Sequence, residues 1–182
     1  LFEETRQFIE KREFDICWIS QYKPARFNRT MLGLKQNSEK QIAFLNQYCA
    51  RMKKTLVVAG SCRDRRFAHE YKFLLAQLEL KPIIVSPNDD LNFSSYKLIR
   101  RSKLAIATSS TIGFEALSAG DRVLFLNLTD DSYYDVPEPH RSSVWSLSGA
   151  DLDYDQVSER VNLIMEMTKN EWQDALDSGA DY

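Results

Sequence analysis

Short apolar runs and longer amphipathic stretches alternate along the chain, and that alternation is its most regular feature. Phe14 to Ser20 (FDICWIS), Thr55 to Ala59 (TLVVA), Pro82 to Ser86 (PIIVS), Leu104 to Ala107 and Val123 to Leu128 are nearly continuous runs rich in β-branched residues. Such runs fit strands of a parallel sheet covered on both faces, since a one-sided sheet would show alternation instead. Between them the apolar residues recur at helical spacing. Asn37-Ser38-Glu39 is predicted to open a helix to about Lys53, with Ile42, Phe44, Leu45, Tyr48, Cys49 and Met52 on its apolar face. A second helix is predicted over Arg63 to Leu78, with Phe67, Tyr71, Leu74, Leu75 and Leu78 on one face.

A short basic helix, Tyr96 to Ser102, capped by Ser94 or Ser95, leads into the run at Leu104; another helix follows Thr111 and stops at Gly120. Val144 to Leu147 is predicted as a last short strand, and helices over Tyr154 to Thr168 and Asn170 to Ser178 close the chain. In those helices Met165, Met167 and Trp172 are expected to pack on the sheet. Leu1 to Arg12 has the pattern of a loosely amphipathic helix, and Gln21 to Lys35 is a polar stretch too long for a tight turn.

Strand and helix alternate at least four times, with connections short enough for right-handed crossovers. This predicts an α/β, three-layer Rossmann-like domain with one parallel sheet over residues 1–182. Ligands of such sheets bind beyond the carboxyl ends of the strands. The loops after Ser20, Ala59, Ser86, Ala107 and Leu128 are therefore expected on one edge. That edge gathers Ser20 and Gln21, then Gly60, Ser61 and Arg63, then Asn88 and Asp89, then Thr108 to Thr111 with Glu115, then Asp130 and Asp131.

The densest chemistry lies in KLAIATSSTIGFEALSAGDRVLFLNL, Lys103 to Leu128. Four consecutive hydroxyls, Thr108, Ser109, Ser110 and Thr111, stand where a strand passes into a helix. A helix N-terminus carries unpaired N–H groups and a partial positive charge, which suit a phosphate. The same hydroxyls also fit a simple N-cap. Glu115, one turn after Thr111, suits the two hydroxyls of a ribose, or else complements the helix dipole. Gly60-Ser61 permits close backbone approach, and Arg63 can fork onto phosphate oxygens or stand as a solvated residue. Neither GxGxxG nor GxxxxGK[ST] occurs, which disfavours a dinucleotide dehydrogenase or a P-loop NTPase. His69, in mid-helix, and His140, in a loop without an identified partner, are the only imidazoles.

Composition narrows the classes further. With 182 residues, 43% of them hydrophobic, the chain can bury one good core. A formal net charge of -2 gives no general drive toward nucleic acid. Cys17, Cys49 and Cys62 are widely spaced and odd in number, which fits free thiols in a reducing compartment and no metal site. No apolar run approaches a membrane span, and Leu1 to Arg12 is too charged for a signal peptide, so a cytoplasmic location is expected. Opening without methionine inside a helical pattern, the chain reads as a piece of a longer protein.

The run TSSTIGFEALSAGDRVLFLN resembles the nucleotide-binding, C-terminal half of GT-B glycosyltransferases, particularly bacterial enzymes of capsule and surface-polysaccharide assembly. A hydroxyl turn, a glycine, a glutamate with alanine, and a glycine before a V-rich strand carry the likeness. The resemblance implies a nucleotide-sugar donor linked to CMP, CDP, UDP or GDP, with Ser109, Ser110 and Thr111 on its phosphate and Glu115 on its ribose. It implies that Ser61 and Arg63 neutralise the leaving nucleotide, that no cofactor or metal is needed, and that the glycan or glycolipid acceptor belongs to a missing N-terminal half, at the inner membrane face. The catalytic base is left unassigned. A related epimerase or glycerol-phosphate transferase domain, and a non-catalytic Rossmann-like interaction module, share the same architecture. The chain departs from the pattern of some relatives in lacking a glycine-rich first loop and a second acidic position paired with the glutamate.

Overall fold

The computed structural model describes residues 12–22, 32–63, 65–87 and 94–178. The helix expected over Leu1 to Arg12, the middle of the Gln21 to Lys35 stretch, and Asn88 and Asp89 lie outside the described residues.

Six parallel strands form one sheet in the order β3-β2-β1-β4-β5-β6: β1 Phe14–Ile19, β2 Leu56–Ala59, β3 Ile83–Val85, β4 Ser102–Ala107, β5 Val123–Asn127 and β6 Ser146–Ser148. Helices cover both sides, giving the expected α/β Rossmann-like fold. The two central strands explain the apolar runs: Ile16, Cys17 and Trp18 of β1 and Leu104 to Ala107 of β4 are essentially inaccessible to solvent. The register pairs Cys17 with both Val57 and Ala105, so β1 is flanked in parallel by β2 and β4. The order of connection reverses between β1 and β4, and the carboxyl ends of the strands there open into a crevice.

One helical layer is made by α1 (Leu32–Met52), α2 (Arg65–Gln77) and α5 (Tyr154–Glu166). Asn46 of α1 donates to the Gln77 carbonyl, and the Tyr48 hydroxyl donates to Asn162 of α5. On the other face α3 (Ser94–Arg100) packs on α4 (Thr111–Ser118). The last helix, α6 (Lys169–Ser178), buries Trp172, whose Nε1 donates to the Gly120 carbonyl; Met165 and Met167 also pack on the core, as expected.

Two glycines fix α4. A Cβ on Gly113 would stand 3.0 Å from the Phe125 ring and 3.2 Å from Ala107 Cβ, so glycine there lets α4 lie close on β4 and β5. Gly120, at φ +88, ends the helix: its N–H donates to the Leu117 carbonyl and that of Asp121 to the Ala116 carbonyl, the double bond pattern of a left-handed C-terminal cap.

Several boundaries differ from expectation. Helix α3 begins at Ser94 and ends at Arg100, so Ser94 and Ser95 lie within it rather than capping it. Ser102 already belongs to β4, which starts two residues before Leu104. Asn37 and Ser38 do not open α1, which starts five residues earlier at Leu32. Both are buried inside the helix, where Ser38 Oγ donates back to the Leu34 carbonyl and the Asn37 amide bridges to β4 and β5. A polar pair that resembles a cap on paper serves here as an interior joint. The last strand is also shifted, to Ser146–Ser148, because Trp145 is drawn into the core against Phe125 and Val144 is left in the preceding turn.

Candidate functional site

A cleft of about 420 Å³ opens at the carboxyl ends of β1, β2 and β4, the point where the strand order reverses. Five of the six residues singled out for phosphate and ribose binding meet there: Ser61 and Arg63 on one side, Ser109, Ser110 and Thr111 on the other.

The hydroxyl cluster divides into two jobs. Thr108 is buried, and its hydroxyl accepts from Asn37 Nδ2 at 3.0 Å and from Gln41 Nε2 at 3.1 Å. The same two amides donate to the Leu126 carbonyl, while Asn37 Oδ1 takes the Leu128 N–H and Gln41 Oε1 takes Trp18 Nε1. Thr108 thus belongs to a closed network that ties α1 to the ends of β1, β4 and β5. Ser109, Ser110 and Thr111 face the cleft instead. Ser110 occupies the N-cap position with extended backbone (φ -105, ψ 130), yet its side chain makes no capping hydrogen bond. The cap reading therefore does not account for these hydroxyls.

The opposite wall is built by a residue the sequence reading passed over. Glu70 of α2 is fully buried, and its carboxylate accepts from the Ser20 hydroxyl at 2.6 Å, the Cys62 N–H at 2.7 Å and the Ser61 N–H at 2.9 Å. The Ser61 hydroxyl in turn donates to the Tyr22 carbonyl at 2.6 Å. Ser61 accordingly offers the cleft a hydroxyl lone pair, whereas its donors are engaged. Gly60 fits because its Cα passes Glu70, Phe67 and the Val85 carbonyl too closely for a side chain. The signal for Glu70 is an acid on the apolar stripe Phe67, Glu70, Leu74, where a charge requires partners.

Arg63 is exposed on the cleft wall. Among the described lining residues it is the one full charge; the rest are hydroxyls, one amide and apolar groups. Beside the wall, burial raises the Cys62 thiol above its ordinary value, with Glu70 adding to the effect. On the far rim, the loop after β5 contributes Tyr133 and Tyr134. Asn127 holds that loop, donating to the Asp131 carbonyl and the Asp135 carboxylate, and Asp131 accepts the Tyr133 N–H.

Glu115 stands apart. It is exposed, does not line the cleft, and its carboxylate accepts from the Tyr96 hydroxyl of α3. It lies one turn beyond Thr111 along α4, ~6 Å further from the helix N-terminus. Asp131 is used as the acceptor for the Tyr133 turn. His69 is exposed on α2, and His140 packs by Trp145 beside a separate small hollow. Among the described residues no group of three or more His, Cys, Asp or Glu is arranged to hold a metal ion. No described helix is long and apolar enough to cross a membrane.

Residues 5–180 match a protein family described as "putative O-antigen biosynthesis protein". The match spans nearly the whole sequence, and the chain belongs to that family, which links it to surface-polysaccharide biosynthesis. No curated protein matches the chain significantly.

Proposed function

We propose that the cleft holds the nucleotide phosphate of an activated sugar and that the chain is the donor-binding domain of a glycosyltransferase in surface-glycan assembly. The observation that carries this reading is the composition of the cleft wall: three hydroxyl residues at an uncapped helix N-terminus, one arginine opposite, and no carboxylate among the described lining residues. The helix end and the guanidinium attract an anion, and no described lining side chain sets a carboxylate against it. A family concerned with O-antigen biosynthesis supplies the biochemical setting in which activated sugars are consumed.

In this reading the first-turn N–H groups of α4, with Ser109, Ser110 and Thr111, take phosphate oxygens, and Arg63 forks onto the same group from across the cleft. As the glycosidic bond to phosphate lengthens, charge grows on the departing nucleotide, and donors fixed in advance stabilise that charge more than the ground state. Glu115 receives the ribose hydroxyls beyond the first turn of α4. The described lining holds neither carboxylate nor imidazole, and the base is left unassigned; in this reading the glycan or glycolipid acceptor is carried by a second half.

Thermal unfolding with CMP, CDP, UDP, GDP and inorganic phosphate tests the proposal. A nucleotide present at about 100 times its Kd is expected to raise apparent stability by about 2.7 kcal/mol. Absence of any shift with every nucleotide at millimolar concentration overturns it.

A further inference from the structure

We infer that Tyr133 is the surface against which the transferred sugar ring stacks. The inference rests on the donor reading above and extends it to the part of the ligand beyond the phosphate.

Tyr133 is 80% exposed, the highest value among the exposed large hydrophobic residues described, and it is the only one of them that lines the cleft. The others lie on outer helix faces, at chain turns or on the edge strand. An aromatic ring left this open gains nothing from the core of the free protein. The turn that carries it is nonetheless firmly built. Asp131 accepts the Tyr133 N–H at 3.1 Å, and Asn127 donates to the Asp131 carbonyl at 3.0 Å. Tyr134 is buried and meets the Tyr133 ring edge to face, with centroids 5.2 Å apart at 89°. The turn also sits hard on α1, where a Cβ on Gly33 would lie 2.5 Å from the Asp131 carboxylate. An exposed ring on a braced turn is preorganised for contact rather than left over from packing.

Position selects the partner. The phosphate donors stand at the start of α4, and Glu115 with Tyr96 lies on the α3 and α4 side of the sheet. Tyr133 lies on the opposite rim, on the side of α1. A nucleotide-sugar with its phosphate at the helix terminus and its ribose toward Glu115 sends its sugar the other way, toward Tyr133. A pyranose presents a face of C–H groups while its hydroxyls point outward around the rim. That face suits a flat ring bearing a polar tip, and the contact removes apolar surface of both partners from water.

The test compares wild type, Tyr133→Ala and Tyr133→Phe by calorimetry. The probes are free UDP, GDP, CDP and CMP and the matching nucleotide-sugars, UDP-glucose, UDP-N-acetylglucosamine, GDP-mannose, CDP-glucose and a CMP-linked sialic acid. For the nucleotide that binds wild type, Tyr133→Ala is expected to weaken the nucleotide-sugar by roughly 3- to 10-fold and to leave the free nucleotide within twofold. Tyr133→Phe, which keeps the ring, is expected to keep most of the sugar-dependent gain. Equal losses for nucleotide and nucleotide-sugar would place Tyr133 on the nucleoside and overturn the inference, as would no loss at all or a wild type that gains nothing from the sugar. A wild type that binds no nucleotide is a different failure, that of the donor reading itself. Because the Tyr133 ring is exposed, unchanged melting temperatures are expected for both variants, and these separate a lost contact from a lost fold.

Discussion

The Glu70 carboxylate, wholly inside the protein, takes the backbone N–H of Cys62 at 2.7 Å. Through that bond, and those to the Ser61 N–H and the Ser20 hydroxyl, one side chain of α2 fixes the ends of both β1 and β2. A buried carboxylate is tolerated only when its lone pairs are occupied, and here the occupying donors are the turn on which Arg63 is carried. The charge that shapes the cleft therefore sits behind its wall.

Glu70→Ala leaves two backbone N–H groups and a hydroxyl without an acceptor in a buried place, and is expected to cost about 2–4 kcal/mol in chemical denaturation. Glu70→Gln keeps one oxygen for the amides and turns an N–H toward Ser20, so a smaller loss is expected. If the alanine variant is as stable as wild type, the turn does not depend on Glu70.

Gln41 makes a second joint of this kind, between Trp18 Nε1, the Thr108 hydroxyl and the Leu126 carbonyl. Gln41→Leu, similar in size but without polar atoms, orphans the indole N–H and is expected to cost about 2–3 kcal/mol. A matched Thr108→Val variant in the Gln41→Leu background should cost less than Thr108→Val alone, because the two share one network. Purely additive losses would show that the groups act independently.

These two joints mark where sequence reasoning stopped. Runs such as TLVVA and IAT are legible because a strand buried on both faces must be apolar throughout. A single parallel sheet followed from the short connections, whereas the strand order β3-β2-β1-β4-β5-β6 emerged only with the structure. That Ser109 to Thr111 and Arg63 share one edge was legible because side chains at strand ends meet there in this topology. Asn37, Gln41 and Glu70 were not, since a polar residue on an apolar helical stripe reads as noise until its partners, 23 to 91 residues away for Gln41 and Asn37, are seen. Asn37-Ser38 even mimicked a cap, and Gly33 in the first turn of α1 hid the true start, because glycine is a poor helix former. Tyr133 lacked any local pattern: its meaning comes from the cleft it borders.

Asp15 offers a test by pH. Burial opposes its ionisation, but hydrogen bonds from Lys103 and from the N–H and hydroxyl of Thr55 outweigh that and hold its carboxyl below the usual range. A depressed carboxyl stabilises the fold above its unfolded pKa of about 3.9 and loses that contribution as pH falls through the folded value. Asp15→Asn is therefore expected to be less stable than wild type at pH 7, with the difference shrinking on acidification below about pH 4. A difference that is constant across that range would assign the effect to geometry rather than charge.

In the donor reading proposed above, Glu115 takes the ribose of the nucleotide; its carboxylate accepts from the Tyr96 hydroxyl and stands one turn from Thr111. A ribose that docks there must share or displace that hydroxyl. Glu115→Ala is expected to weaken a bound nucleotide several-fold and inorganic phosphate little, since phosphate reaches only the helix terminus and Arg63. Tyr96→Phe removes the competing donor and keeps the ring, so it is expected to leave the nucleotide equal or tighter. Isothermal titration of both ligands against both variants checks this. Equal losses of nucleotide and phosphate in Glu115→Ala would remove the ribose role and leave Glu115 as a brace between α3 and α4.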